Sequence, residues 1–207
     1  MTKIAVWTSS LEHITEEISE LWLDRLIWRS LRDMVQSIPT ARDSFILAWI
    51  GEQYYRRAAI AVRTMADLDS RSDSLVNLLA DMVRNPTEVV CPPALYSMRA
   101  SRLRTVDPAL VQADIDVLTA AAKPVGQYVN KHLAHIDRSA KVSIPALADV
   151  DDAVQLLGDL LEKYTLLLRN VDLKVEPVLG FDWAAGLREP WLSPTIDRSQ
   201  LPEAFKA

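Results

Sequence analysis

The segment from about residue 45 to 65 constrains the fold most, because it is apolar on nearly every side of a helix. Its apolar residues are Phe45, Ile46, Leu47, Trp49, Ile50, Ala58, Ala59, Ile60, Ala61, Val62 and Met65. A helix without a wide polar stripe is typical of the centre of a bundle, where other helices cover it. We therefore predict a central helix that restarts at Thr40 and Asp43 and is buried on most sides.

Arg63 interrupts the apolar part of this helix. A cation at such a position extends its charged head to solvent, pairs with an acid such as Asp67, or reaches a functional site. An ion pair with a structural role is the more common outcome. The sequence leaves the three alternatives open.

Four further segments have helical periodicity. They span about residues 10 to 37, 75 to 85 and 107 to 137, with a last one that opens at Asp149. A capping box at Ser9–Glu12 predicts the first start, after a short apolar lead-in that packs against the body. Asp107 and Pro108 predict a start as cap and first-turn proline. Pro124 is expected to kink or divide that helix, because proline removes an internal hydrogen bond.

These patterns predict an all-α fold, a helical bundle of about five main helices with an irregular C-terminal tail. The chain of 207 residues has only five glycines and no alternating run of useful length, which argues against strands. We predict a helical domain over residues 1–172. Residues 173–207 contain prolines, Phe181, Trp183 and Trp191, and we expect this tail to pack on the domain or on a partner.

Charge and cysteine content limit the function classes. The net charge of −5 argues against a surface coated for nucleic acid, but residues 123 to 141 contain four positive side chains and one negative. That excess suits either a local phosphate site or a solvated helix face, and from charge alone the solvated face is the more common. No apolar run is long enough to cross a membrane. A single cysteine, Cys91, and no signal-peptide pattern favour a cytoplasmic location.

The stretch from Tyr128 to Asp137 contains two of the three histidines. If this stretch is helical, polar side chains at spacings of three and four lie on one face of it. These are Tyr128, Lys131, His135 and Arg138. A neighbouring apolar stripe faces the core, so one face packs and the other is available for chemistry.

His132 and His135 have no Glu or Cys at a ligand spacing, so neither a metal site nor a cofactor site is predicted. Acid–base chemistry remains, because an imidazole titrates near neutral pH. His135 would then be the general acid or base and Lys131 the nearest cation. Asn130 and Asp137 would be positioning groups. The alternative is that His135 only makes hydrogen bonds, in a protein that binds and does not catalyse.

The residues Asn130, Lys131, Ala134, His135 and Asp137 resemble a signature of the HEPN-like superfamily, in its AbiU-type abortive-infection branch. A second similarity is the run that begins at Ser74 and Leu75, preceded by a basic residue in the region of Arg63. The resemblance covers about residues 10 to 172. It departs from the pattern at Val129, where many members have an arginine.

The resemblance implies a HEPN-like helical domain in a phage-defence or toxin–antitoxin system. Such a domain binds RNA or a cognate toxin or antitoxin protein, and two copies of the motif face each other in a homodimer. Tyr128, Arg138 and Arg63 would then contact RNA. The alternative it implies is a metal-independent endoribonuclease in which His135 acts with Lys131.

Overall fold

The computed structural model describes residues 2–36, 45–99, 104–133 and 143–178. Within these ranges lie five α-helices, and the all-α prediction is confirmed. They are α1 (Lys3–Gln36), α2 (Phe45–Met65), α3 (Leu75–Arg84), α4 (Pro108–Tyr128) and α5 (Leu147–Arg169). A π-helical turn, Val129–Leu133, continues α4 and is called the π turn below. The β-type pairings of the described ranges are two isolated bridges between the segments before and after residues 100–103.

Helix α1 begins at Lys3 and not near residue 10, so the predicted capping box is wrong. The core face of the helix already starts at Trp7, which is 2% exposed, and continues through Leu11. The Trp7 indole Nε1 donates to Asp81 Oδ2 of α3 at 2.8 Å, and Lys3 Nζ donates to the same oxygen at 2.9 Å. The first residues are therefore helical because this conformation brings Lys3 and Trp7 to Asp81 of α3. A helix that started at a Ser9 cap would not make these contacts.

Helix α2 packs against α1, α4 and α5. Helices α1, α4 and α5 also pack against three others each, so the predicted central position is not particular to α2. The second half of α2 is buried at Ala58, Ala59 and Val62. Its first turns are not buried: Phe45 is 81% exposed and Trp49 is 53% exposed. The prediction of burial on most sides is therefore wrong for this end, because no described element covers the start of α2. The predicted restart at residues 40–43 lies outside the described residues.

Helix α3 matches its prediction closely. Ser74 is the N-cap, and its Oγ accepts a hydrogen bond from the Asn77 backbone N–H at 3.1 Å. Leu75 and Leu79 are fully buried against the rest of the core. The helix ends at Arg84, immediately before Asn85 and Pro86, which cannot continue it.

Helix α4 starts at the predicted cap, where Asp107 Oδ1 accepts from the Ala109 N–H at 2.9 Å. Pro124 lies inside the helix and does not divide it. The departure from α geometry comes later, where the chain widens into the π turn. The cost of Pro124 inside the helix is one carbonyl, a turn earlier, that lacks its usual backbone donor. Widened turns such as the π turn are frequent at functional sites.

Helix α5 is held to both α1 and α2 by one carboxylate. Asp151 Oδ1 accepts from Arg25 Nε at 2.9 Å and from the Tyr54 hydroxyl at 2.7 Å. Arg25 is 4% exposed, so this is a buried ion pair that joins three helices. Its position fixes how α2 lies against α5, and thereby where the far end of α2 meets α4.

The start of the predicted tail is described only to residue 178. Val175 is buried, and its backbone N–H donates to Glu162 Oε1 at 2.9 Å. Phe181, Trp183 and Trp191 lie outside the described residues, and the division at 172/173 stays a prediction. Among the described helices, none is long and apolar enough to cross a bilayer.

Candidate functional site

A groove of about 280 Å³ lies between α2 and α4, at the end of α4 that leads into the π turn. Its walls are formed by Arg63, Ala66, Asp67, Thr119, Ala122, Lys123, Gly126, Gln127 and Asn130. Two of these side chains are cationic and one is anionic, and two are amides. The groove therefore combines positive charge with neutral hydrogen-bond donors.

Arg63 joins α2 to the π turn across this groove. Its Nε donates to Asn130 Oδ1 at 3.2 Å, over 67 residues of sequence. Its Nη1 donates to Asp67 Oδ2 at 3.2 Å, one turn further along α2. Of the three alternatives that the sequence left open, the ion pair with Asp67 is present and the side chain is also partly open to solvent, whereas a functional role of Arg63 stays a prediction.

The stem of Arg63 lies beside Gly126 of α4. A Cβ placed on Gly126 would lie 3.7 Å from Arg63 Cγ, which is ordinary van der Waals contact. The guanidinium side chain is 40% exposed and Asp67 is 25% exposed. The aliphatic stem of Arg63 thus lies against α4, and its guanidinium is partly open to a ligand.

The π turn separates buried from exposed residues at the motif. Asn130, Lys131 and His132 are exposed, whereas Val129 is 5% exposed. Tyr128 is only 9% exposed, so the predicted exposed polar row is wrong at its first member. An α-helical stripe does not apply here, because the wider turn changes which positions share a face.

Three aromatic side chains form a row from α2 to the surface, called the aromatic row below: Tyr55, Tyr128 and His132. The rings of Tyr55 and Tyr128 meet edge to face with centroids 5.6 Å apart. The rings of Tyr128 and His132 are 5.5 Å apart and tilted by 34°. The Tyr55 hydroxyl donates to the Pro145 carbonyl at 2.8 Å, which anchors the α2 end of the row.

Burial, with smaller effects of Tyr128 and Asp149, raises the pKa of Tyr55 to about 12. Its hydroxyl therefore stays a neutral donor at physiological pH. Neither Tyr55 nor His132 was predicted to have a role. Tyr55 belongs to a polar part of α2, and no local pattern shows that it meets Tyr128.

Four of the seven predicted site residues are in the described ranges: Arg63, Tyr128, Asn130 and Lys131. The structure brings Arg63 and Asn130 together and buries Tyr128. His135, Asp137 and Arg138 lie outside the described residues, so their predicted roles stay predictions. In the part of the chain that the structure describes, no three His, Cys, Asp or Glu side chains are grouped to hold a metal ion.

The chain was compared with protein families, curated proteins and solved structures. None of them matches. Membership of the HEPN-like superfamily thus stays a prediction from the quoted residues.

The chemistry of the groove and the π turn favours an anionic ligand. Arg63 presents a planar guanidinium, a group that matches phosphate geometry and stays charged at every physiological pH. Lys123 is exposed at the same groove, and Lys131 is exposed on the π turn. Gln127 and Asn130 add amide groups that can donate to phosphate oxygens.

Proposed function

We propose that the protein is an RNA-binding module whose groove between α2 and α4, together with the π turn, contacts the phosphate backbone. The observation on which this rests is the hydrogen bond from Arg63 to Asn130. It brings a cation from a distant helix to the motif that resembles HEPN-like proteins. Val129 lacks the charge that this position has in many of them, and Arg63 supplies a charge beside it.

The charge balance of the site supports the proposal. Arg63, Lys123 and Lys131 are positive, and Asp67 is the one acid that lines the groove. Asp67 holds Arg63 through a partly exposed ion pair one helical turn away, and such a pair is worth about 1 kcal/mol. A phosphate can therefore share or replace that contact at small cost. A local positive site in a chain of net charge −5 favours selective over general binding of nucleic acid.

The resemblance supports a setting in phage defence or a toxin–antitoxin system, with a cytoplasmic location and a cognate toxin or antitoxin protein as a further partner. A homodimer belongs to the same proposal. The exposed apolar residues Phe45, Ile46 and Trp49 at the start of α2 support it, because large apolar side chains grouped on a surface mark interaction sites.

The RNA proposal is tested by fluorescence anisotropy with a labelled single-stranded RNA over a range of salt concentrations. Arg63→Ala should weaken binding about tenfold and lower the salt slope by about 0.7, the value for one lost phosphate contact on a single strand. Arg32→Ala is the matched control. Arg32 is an exposed arginine of α1 that pairs with its neighbour Asp33 and does not line the groove. Equal losses in both variants would show general charge attraction and reject the site.

A second candidate function is a metal-independent endoribonuclease. One observation favours it: Arg63 and Asn130 place a guanidinium beside an amide at the motif, and such a pair can stabilise charge on a phosphate during cleavage. His135 would take the proton of the 2′-hydroxyl as the 2′-oxygen attacks phosphorus and the bond from phosphorus to the 5′-oxygen breaks, and the imidazolium would return a proton to the leaving 5′-oxygen. The wild type should then cleave single-stranded or transfer RNA in EDTA.

In that case His135→Ala should remove cleavage and leave RNA binding within about twofold, because the imidazole acts on a proton and not on the phosphate charge. His13→Ala is the control, since His13 lies on α1 and pairs with Asp73. RNA binding without cleavage by the wild type would reject the nuclease and leave the binding module.

A further inference from the structure

We infer that His132 is a stacking platform for an unpaired base, so that the ligand of the site is single-stranded RNA and not a duplex. This inference rests on the proposed function, since it names the form of RNA that the phosphate contacts would hold. His132 is exposed on the π turn, next to Lys131 and two residues from Asn130. Nothing in the sequence pattern gave it a role.

The imidazole is held in place from behind. Its ring lies 5.5 Å from that of Tyr128, which is 9% exposed. Tyr128 in turn meets Tyr55 edge to face, and the Tyr55 hydroxyl is fixed on the Pro145 carbonyl. The buried ring of Tyr128 therefore supports the exposed imidazole, and Tyr55 supports Tyr128.

A supported ring is a better platform than a freely rotating one, because less side-chain entropy is lost on binding. Aromatic side chains, histidine included, are the usual stacking partners of bases in single-stranded RNA. In a duplex the bases are already stacked on each other and their faces are closed to such a contact.

Phosphate and base contacts would be made along one strand. Asn130, which accepts from Arg63, and His132 belong to the same five-residue π turn, with Lys131 between them. Because side chains two residues apart in a helical turn face different sides, a strand with one phosphate at Arg63 would place the base of a neighbouring nucleotide on His132. Phosphate contacts position such a ligand, and base contacts distinguish its kind.

The experiment compares two labelled oligomers of equal length, a single-stranded oligoadenylate and an abasic oligomer with the same phosphates and no bases. Three proteins are measured: the wild type, His132→Ala and His132→Phe. The loss of one stacked base corresponds to roughly 5- to 100-fold in affinity. His132→Ala should lose that factor on oligoadenylate and bind the abasic oligomer as the wild type does. His132→Phe keeps an aromatic ring and should stay within about twofold of the wild type on both.

A second measurement reads the stack directly. An oligomer with one 2-aminopurine should lose fluorescence on binding to the wild type and to His132→Phe, and should not on binding to His132→Ala at saturation. If His132 only stabilised the fold, 2-aminopurine would not be quenched by the ring at position 132, and His132→Phe would show no quenching.

The outcomes separate this inference from the proposed function. Equal binding of both oligomers by the wild type, with loss of both in Arg63→Ala, would keep the phosphate site and overturn the platform. An unchanged affinity of His132→Ala for oligoadenylate would also overturn the platform. Tighter binding of the wild type to a duplex of the same sequence than to the single strand would overturn it as well. No binding of any oligomer by the wild type would reject both.

Discussion

At the scale of single residues, the partners of Arg63 could be predicted from the sequence only in part. The interruption of an apolar helix by a cation predicts that Arg63 needs a partner, and Asp67 at the i+4 position is a partner that sequence can supply. Asn130 is 67 residues away, so its contact depends on how α2 packs against α4. The contact between Tyr128 and His132 is local, because the two residues are four apart. It was missed because the predicted stripe grouped Tyr128 with Lys131 and His135.

Gly158 of α5 gives a prediction at this scale. The Trp22 indole of α1 lies so close to Gly158 that a Cβ there would overlap the ring. Alanine is the better helix former by about 1 kcal/mol, but here the overlap should outweigh that gain. Gly158→Ala is expected to lower the free energy of unfolding by about 1 to 3 kcal/mol.

Urea denaturation measures this change. Gly126→Ala is a suitable control, because its Cβ would meet only ordinary contact with Arg63 and the gain in helix propensity should remain. A Gly158→Ala protein as stable as the wild type would show that Trp22 does not pack on the backbone of α5.

At the scale of elements, the five helices could be predicted from periodicity and caps, and their ends could be predicted less well. The start of α4 was correct because Asp107 caps it with its own side chain. The start of α1 was wrong because the contacts of Trp7 and Lys3 with Asp81 are tertiary and leave no local signal. The exposed start of α2 was missed because an apolar pattern predicts burial and does not say which helix provides it.

The ion pair of Asp151 makes stability depend on pH. Burial alone raises the pKa of this carboxyl, but hydrogen bonds from Arg25, Tyr54 and Arg29 outweigh it and lower the pKa. A carboxyl whose pKa is lowered in the folded state stabilises fully above its unfolded pKa, near 3.9. That contribution is lost as the pH falls through the folded value. The free energy of unfolding should therefore decrease as the pH is lowered from about 5.

Asp151→Ala should remove about 3 to 5 kcal/mol at neutral pH, because it leaves Arg25 buried without its partner. Its stability should also depend less on pH in the acid range than that of the wild type. Asp33→Ala, which breaks an exposed pair with Arg32, should change little. The same acid slope in Asp151→Ala and in the wild type would assign the loss of stability to other carboxyls.

At the scale of the whole molecule, the bundle explains how one end of α2 serves the groove and the other presents Phe45 and Trp49 to solvent. The two ends of a helix of 21 residues are about 30 Å apart. A partner copy at the start of α2 would thus leave the groove accessible, and the two motifs would not face each other as the resemblance to HEPN-like proteins implies. Neither use of α2 could be read from its composition, since the whole segment looks like core.

We expect a dimer through this end. Light scattering of the wild type at micromolar concentration should give twice the mass of one chain. Phe45→Asp combined with Trp49→Asp should give the mass of one chain, because charge on the interface disfavours burial. Val117→Asp changes an exposed apolar residue of α4 and should leave the dimer intact. A single-chain mass for the wild type at all concentrations would contradict the dimer.

The proposed phosphate site is tested most directly by a double-mutant cycle between Arg63 and Asn130 that measures the free energy of RNA binding. Because the two side chains are hydrogen-bonded and are proposed to hold the same phosphate, Arg63→Ala and Asn130→Ala should be non-additive, with a coupling of about 1 kcal/mol or more. Additive effects within about 0.5 kcal/mol, or a wild type that does not bind RNA, would contradict the proposed site.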